Sequence, residues 1–126
     1  MLVDTDVIIW YMRGNPRAAK VLERQGNLTL SAVTYMELIQ GLRNKEEFQA
    51  LRATLKAWNA RILSLDEAIT TLAMYYMEQY FHSHSLRLAD ALIGATAVKH
   101  GVGLLTANTK HYKVIKELTV EKFRPE

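Results

Sequence analysis

The chain has 126 residues, of which 49% are hydrophobic and only two are proline, and this composition excludes a disordered chain and predicts a single domain spanning residues 1–126. The absence of cysteine excludes disulfides and thiolate metal sites. A formal charge of +3 is too small to identify a nucleic acid as the partner.

Strand-like and helix-like segments alternate along the chain, with no linker, internal repeat or low-complexity tract between them. The predicted strands are short runs rich in Val, Ile and Leu, which begin at residue 2 and then cover 28–30, 61–65, 102–106 and 118–123. The predicted helices cover 7–12, 16–24, 31–42, 45–58, 66–81, 86–100 and 109–116. Strands separated by one or two helices predict an α/β fold with a small, mainly parallel sheet covered on both faces.

Two acids stand at the end of the first predicted strand. Asp4 and Asp6 interrupt the apolar run from Leu2 to Ile9. Ligands of open parallel sheets bind beyond the carboxyl ends of the strands, so a carboxylate placed there faces the binding crevice. The alternative is that an aspartate only caps the following helix, which explains one acid but not both.

Two further carboxylates lie within apolar helical segments. The chain has only four aspartates, and one of them, Asp90, lies within the apolar segment 88–95, while Glu37 lies within the apolar segment 33–39. A carboxylate withdrawn from water is costly unless it is paired, hydrogen-bonded or bound to a metal. Arg87 and Arg43 are the nearest cations in sequence, so a structural ion pair is the alternative for each acid taken singly.

Taken together, these acids favour a divalent cation. Carboxylates gathered at strand ends raise one another's pKa values unless a cation lies among them. Oxygen ligands without Cys or a His pair favour Mg²⁺, or Mn²⁺, over Zn²⁺. The fourth predicted strand leads to Thr106 and Asn108, which would bring a hydroxyl and an amide to the same edge, although Asn108 is equally typical of a turn or a helix cap.

Four segments in a fixed order carry a resemblance to a known family. They are a hydrophobic-Asp-Thr-Asp-hydrophobic strand end at 2–9, a helical Glu followed four residues later by Gly at 37–41, an Asp-Ala-hydrophobic helix ending in His-Gly at 90–101, and a Leu-Leu-Thr strand followed by Asn-Thr-Lys-His-Tyr at 104–112. The ordered set covers essentially the whole chain. It resembles the PIN-domain ribonucleases, and within them the VapC toxins of bacterial and archaeal toxin–antitoxin pairs.

The resemblance implies a three-layer α/β/α PIN-like fold and Mg²⁺-dependent hydrolysis of RNA phosphodiester bonds by an activated water. It assigns catalytic positions to Asp4, Glu37, Asp90 and Asn108. Asp4 and Asp90 are the expected metal ligands, and Glu37 is a third candidate ligand.

The resemblance is incomplete at the last segment. Asn108 stands where many members have a fourth acid, and His111 stands near a position where another Asp is frequent. We expect Asp6 to supply the missing charge as a further candidate ligand. Thr5 and Thr106 are expected to orient the ligands or the substrate.

The resemblance also implies three partners, namely an RNA substrate, a small VapB-like antitoxin whose helix occupies an apolar groove, and a second copy of the chain. Trp10, Tyr11 and Met12 would line that groove or lie in the core. The scattered cations are either a phosphate-binding surface or a solvated face, and they are Arg43, Lys45, Lys110, Lys113 and Lys116.

Two other functions are compatible with parts of the sequence. Asp4-Thr5-Asp6 also resembles the Asp-x-Asp of haloacid-dehalogenase-type phosphatases, in which the first Asp is a nucleophile. Against this alternative, the chain is short and lacks a later Gly-Asp-x-x-x-Asp element. A non-catalytic, RNA-binding or regulatory PIN domain is the second alternative, because Asn108 replaces an acid.

The predicted helix at 66–81 carries an apolar stripe. Met74, Tyr75, Tyr76, Met77, Tyr80 and Phe81 are expected to form core or a subunit interface rather than a base-stacking surface. His82 and His84 follow this helix and are expected at a helix end or in a loop rather than at a metal.

The sequence shows no targeting or membrane segment. The structured pattern begins at Leu2, and no apolar run approaches the roughly 20 residues of a membrane span. We therefore expect a cytoplasmic protein that does not contact a membrane.

Overall fold

The computed structural model describes residues 1–83 and 85–126. Its strands are β1 (Leu2–Val3), β2 (Thr29–Ser31), β3 (Arg61–Leu63), β4 (Leu104–Thr106) and β5 (Val120–Lys122). Its α-helices are α1 (Thr5–Met12), α2 (Pro16–Arg24), α3 (Ala32–Gln40), α4 (Lys45–Ala57), α5 (Glu67–Tyr80), α6 (Leu88–Lys99) and α7 (Thr109–Tyr112). A single turn of 3₁₀-helix, Phe81–Ser83, follows α5. His84 lies outside the described residues.

All five strands are parallel and are ordered β3-β2-β1-β4-β5. The strand order reverses around β1, since β2 lies on one side of it and β4 on the other. In the register of β1 and β4, Val3 stands opposite Leu105. Asp4 and Thr106, one residue further along each strand, therefore lie side by side at the carboxyl edge of the sheet.

The sheet separates two hydrophobic cores, as the three-layer prediction requires. Leu2 and Leu104 pack on one face with residues of α5 and α6. Val3 and Leu105 pack on the other face with residues of α1, α2 and α4. Because neighbouring residues of a strand point to opposite faces, each central strand contributes to both cores. The predicted fold class is confirmed.

Most helices begin where the sequence places a capping residue. The side chains of Asn15, Ser31, Asn44 and Asp66 each accept a hydrogen bond from a backbone N–H in the first turn of α2, α3, α4 and α5. Such bonds satisfy N–H groups that have no partner inside the helix.

Several predicted boundaries were too long, and one was too short. Helix α1 begins at Thr5 rather than Val7, so Asp6 lies in its first turn. Strand β4 begins at Leu104, because Gly101 at φ +64° turns the chain after α6 and the N–H of Val102 still bonds to Ala97. Helix α7 ends at Tyr112 rather than Lys116, because two tight turns follow it and bury Ile115 and Leu118.

The stripe on α5 is divided between core and surface. Tyr76 is buried and its hydroxyl donates to Glu117, whereas Met74, Tyr75 and Phe81 are more than half exposed. None of the described helices has the length and apolar character needed to cross a membrane.

Candidate functional site

The site is built around Asp4, which follows β1 directly and is only 7% exposed. Its Oδ1 accepts a hydrogen bond from the backbone N–H of Thr5 at 2.8 Å. Its Oδ2 accepts two hydroxyl hydrogen bonds, from Thr106 at 2.7 Å and from Tyr112 at 2.9 Å. Asp4 occupies the N-cap position of α1 but is held by side chains from distant parts of the chain. Capping alone therefore does not account for it.

Asp6 lies beside Asp4, in the first turn of α1. Its Oδ2 accepts hydrogen bonds from the side-chain amide of Asn108 at 2.8 Å and from the backbone N–H of Ala107 at 3.1 Å. Its Oδ1 is the one buried side-chain polar atom without a hydrogen-bond partner among the described residues. A buried, unpartnered carboxylate oxygen is costly and is typical of a site that binds a further group.

Glu37 is attached to the same site through Thr5. The Thr5 hydroxyl oxygen lies 2.6 Å from Glu37 Oε1 and 3.0 Å from the hydroxyl oxygen of Thr34. A hydroxyl has a single proton, so Thr5 donates to the carboxylate and accepts from Thr34. Thr34 and Glu37 lie three residues apart on α3, which places both on the helix face that contacts α1. Arg43, the predicted alternative partner of Glu37, pairs instead with Glu47.

Asp90 reaches the site from a third helix and lies in the first turn of α6. Its Oδ2 accepts the backbone N–H of Arg87 at 3.0 Å and lies 3.7 Å from Nδ1 of His111. Among the described residues, the side chain of Arg87 forms no ion pair within 4.0 Å, so the predicted alternative of an Arg87–Asp90 ion pair is wrong.

These side chains line one cavity of about 230 Å³, which we call the acidic cavity. Its polar lining consists of Asp4, Thr5, Asp6, Glu37, Arg87, Asp90, Asn108 and His111. The structure thus brings together every predicted catalytic and metal-ligating residue. Thr106 does not line the cavity, but its hydroxyl lies within hydrogen-bond distance of Asp4 and Asp6. The roles of these residues stay predictions, but their convergence from four separate segments is an observation.

Burial and mutual repulsion raise the pKa values of the buried aspartates. The pKa of Asp6 rises to about 6, because the side chain is withdrawn from water and because Asp4 lies nearby. The pKa of Asp4 is raised by burial and, to a smaller extent, by the charge of Asp90, against the opposing effect of its hydrogen bonds. Burial also raises the pKa of Asp90. A cation in the cavity would remove this repulsion.

The donor set fits a hydrated hard cation. Among the described residues, no three His, Cys, Asp or Glu side chains form a group that could hold a metal ion. Mg²⁺ does not require three such side chains, because it binds through one or two carboxylates and keeps several waters. Four carboxylates around a cavity with room for water, one of them with an unpartnered buried oxygen, match that requirement.

Two residues at this site are not predicted from the sequence to act there. The sequence predicts Arg87 only as an ion-pair partner, yet it is exposed and lines the acidic cavity. Tyr112 is fully buried, and its hydroxyl reaches Asp4 from 108 positions away. Its place directly after the Asn-Thr-Lys-His segment was the available signal. Asn108 stands at the N-cap of α7, but its side chain makes no capping bond and holds Asp6 instead.

The stability of the metal-free protein should fall as pH rises through the range in which Asp6 ionises. The folded protein holds this proton up to about pH 6, whereas the unfolded chain releases it near 3.8. The proton on Asp6 therefore contributes fully to the free energy of unfolding below pH 3.8, and this contribution is lost as the pH rises through about 6. Asp6→Asn removes the charge, and we expect it to stabilise the chelator-treated protein at pH 7 by on the order of 1–2 kcal/mol after allowance for solvent screening. Urea unfolding of the wild type and of Asp6→Asn at pH 4 and pH 7 measures their free energies of unfolding. If both proteins lose the same stability between pH 4 and pH 7, the prediction is contradicted.

A second, larger cavity of about 900 Å³ adjoins the site and shares Glu37 with it. It lies between α1, α3 and α4, and we call it the α4 groove. Its apolar lining includes Ile9, Tyr11, Met12, Leu38, Ala50 and Leu51. Tyr11 and Met12 thus line a groove, as one of the two predictions for them stated, while Trp10 is partly buried against the core.

Comparison with known proteins identifies the family. Residues 1–117 match the PIN domain model. The chain is 34% identical over 122 residues to Ribonuclease VapC10 of Mycobacterium tuberculosis, with 94% of this chain and 90% of the relative covered. It is 31% identical over 124 residues to Ribonuclease VapC19 of the same organism, covering 93% and 95%.

Among solved structures, a toxin–antitoxin complex from Klebsiella pneumoniae contains a similar chain. The TM-score is 0.79 at 28% identity, and the match covers 99% of this chain and 97% of that one. The match to the PIN model extends over nearly the whole sequence and gives no support to the phosphatase alternative. The chain belongs to the PIN domain family and is related within it to the VapC proteins.

Proposed function

We propose that this chain is a Mg²⁺-dependent endoribonuclease and the toxin of a VapBC-type toxin–antitoxin pair. The observation that carries the proposal is the acidic cavity, where Asp4, Asp6, Glu37 and Asp90 converge at the carboxyl edge of a parallel sheet. The names of the VapC relatives supply the substrate class, since these proteins are called ribonucleases.

Each side chain has a defined part in this proposal. Asp4 and Asp90 hold Mg²⁺, or Mn²⁺, and Asp6 offers its unpartnered oxygen as a further ligand. When bound, such an ion activates a water and stabilises charge on the phosphoryl oxygens. Glu37, fixed by its hydrogen bond from Thr5, would orient either the attacking water or a water bound to the ion.

The threonine and asparagine side chains keep the acids in place. Thr106 fixes Asp4 through its hydroxyl and accepts the backbone N–H of Asn108 at 3.0 Å. Asn108 in turn fixes Asp6. An amide in place of a fourth acid lowers the negative charge of the cavity, which suits a site that holds one ion rather than two.

We infer that Arg87 contacts the RNA backbone. It is the arginine of the acidic-cavity lining and its side chain is exposed. Arg43, Lys45, Lys110, Lys113 and Lys116 are also exposed, although Arg43 is occupied by Glu47. A guanidinium at the cavity is therefore better placed to bind a phosphate next to the scissile bond than the scattered cations are.

The proposal is tested by incubating the purified chain with labelled RNA in the presence of Mg²⁺, Mn²⁺ or a chelator. We expect cleavage to internal fragments with either ion and none with the chelator. A phosphatase substrate tested in parallel should stay intact. RNA binding without cleavage under any divalent ion would overturn the nuclease proposal and favour a regulatory PIN domain.

The α4 groove is the proposed binding site of the antitoxin. Its lining is mainly apolar, although Arg13, Arg43 and Glu47 also belong to it. It opens next to the acidic cavity and contains Glu37, so a helix lying in it would block access to the acids. The similar chain from Klebsiella pneumoniae was solved as part of a toxin–antitoxin complex, which supports a partner of this kind. Amphipathic helices bind such grooves through side chains spaced three and four residues apart.

A homodimer is also part of the proposal. Met74, Tyr75, Phe81 and Leu88 are 51–72% exposed although they are large and apolar, and they belong to α5, α6 and the turn between them. Exposed apolar residues clustered on neighbouring elements are typical of a subunit interface. Light scattering of the purified chain measures the oligomeric state.

A further inference from the structure

We propose that Tyr112 is a positioning residue that orients Asp4 so that its Oδ1 is the oxygen available to the metal ion. This inference rests on the proposed function, because it assumes that Asp4 is a metal ligand. It adds a residue from a distant part of the chain to the site and assigns different tasks to the two oxygens of one carboxylate.

The position of Tyr112 is fixed by its surroundings. Its ring is 0% exposed and packs against α6 at Gly94, where an added Cβ would lie 3.7 Å from Cδ1 of the tyrosine and 2.7 Å from Cδ1 of Ile115. The glycine therefore allows α6 to approach the segment 112–118 closely. A tyrosine held in this way presents its hydroxyl at one place only.

The hydrogen bonds of Asp4 separate its two oxygens. A carboxylate oxygen accepts about two hydrogen bonds. Oδ2 receives two, from Tyr112 and Thr106, whereas Oδ1 receives one, from the N–H of Thr5. The remaining capacity of Asp4 is on Oδ1, and Asp4 lines the acidic cavity.

A phenol is well suited to this task. It donates a hydrogen bond without adding a positive charge, so Asp4 keeps the full negative charge that attracts a divalent ion. A lysine or arginine at position 112 would neutralise that charge. A phenylalanine would fill the same space but leave Oδ2 with only the Thr106 hydroxyl, so the carboxylate could rotate and present either oxygen.

Tyr112→Phe tests the inference. We expect the variant to fold like the wild type by circular dichroism and to bind Mn²⁺ about 10-fold more weakly in calorimetric titrations without RNA, a loss at the lower end of the range typical of groups that orient metal ligands. In cleavage assays, the Mg²⁺ concentration for half-maximal activity should rise by a similar factor, while activity at saturating Mg²⁺ should recover most of the wild-type rate.

Tyr76→Phe is the matched control. Tyr76 is also buried, and its hydroxyl also donates to a carboxylate, but that carboxylate is Glu117 and lies outside the acidic cavity. This variant should lose stability without losing Mn²⁺ affinity.

The possible outcomes separate the inference from the proposed function. Cleavage by the wild type together with unchanged Mn²⁺ affinity in Tyr112→Phe would overturn the role of Tyr112 alone. An equal loss of affinity in Tyr76→Phe would overturn it as well. A wild-type chain that neither binds Mn²⁺ nor cleaves RNA would overturn both.

Discussion

Asp90→Asn is expected to reduce Mg²⁺-dependent RNA cleavage by more than about 100-fold while leaving the fold intact. The change removes one of the two carboxylates proposed to hold the ion, and loss of a ligand should exceed the roughly 10–100-fold effect of losing a group that only supports one. Asparagine keeps an oxygen that can accept the N–H of Arg87, so the first turn of α6 should still form. Cleavage rates at saturating Mg²⁺ and thermal unfolding of both proteins measure the two effects.

Asp66→Asn is the matched control for this substitution. Asp66 also stabilises the start of a helix, since its Oδ1 accepts the N–H of Ile69 at 2.9 Å, but it does not line the acidic cavity. The control variant should cleave RNA at the wild-type rate. Wild-type cleavage by Asp90→Asn would remove Asp90 from the mechanism, and loss of its thermal transition would show that Asp90 acts on the fold.

The sequence was sufficient to predict the part of the site at the carboxyl edge of the sheet, because the residues there directly follow or end short apolar strands. Asp4 follows β1 directly and Thr106 ends β4, so locating two short apolar runs located both residues. The parallel sheet then brought them together without any further information. The same reasoning could not give the hydrogen bond from Tyr112 to Asp4, because it depends on how residues 112–118, from the end of α7 onward, pack against α6.

For Glu37 and Arg87, too, the sequence could not identify the contacts, because these depend on tertiary packing. The sequence marked Glu37 as an acid in an apolar helix, but only the packing of α3 against α1 shows that Thr5 is its partner rather than Arg43. Arg87 contributes its backbone N–H to Asp90, a contact that does not depend on the arginine side chain. Residue type therefore could not show that the Arg87 side chain forms no ion pair with Asp90.

The acidic cavity is assembled at a cost to the fold. Asp4 and Asp90, which are buried, and Asp6, which is half-buried, have raised pKa values, and one carboxylate oxygen has no partner among the described residues. A fold selected only for stability would replace at least one of them with a neutral residue. The presence of four acids around one cavity is more easily explained by ion binding than by structure. We therefore expect Asp6→Asn to raise the stability of the metal-free protein and Asp90→Asn to lower its activity.

Ala50→Glu is expected to weaken antitoxin binding by at least about 30-fold, equivalent to about 2 kcal/mol. Ala50 is exposed on α4 and lines the α4 groove. A glutamate there would occupy space that an apolar side chain of the antitoxin helix would fill, and its carboxylate would lose its hydration when the helix binds. Glutamate is a good helix former, so α4 should remain folded. The measurement is co-purification and calorimetric titration with the VapB-like antitoxin of the proposed pair, which we expect to be encoded by an adjacent gene.

Ala53→Glu is the matched control, because Ala53 is exposed on the same helix but does not line the groove. It introduces the same charge and should bind the antitoxin as the wild type does. The Ala50→Glu variant should keep its RNA cleavage, since Ala50 does not line the acidic cavity, and should escape inhibition by the antitoxin. Equal binding by the two variants would mean that the partner occupies another surface. Loss of cleavage by Ala50→Glu would mean that the α4 groove belongs to the RNA site, because the same substitution would then disturb the substrate rather than the inhibitor.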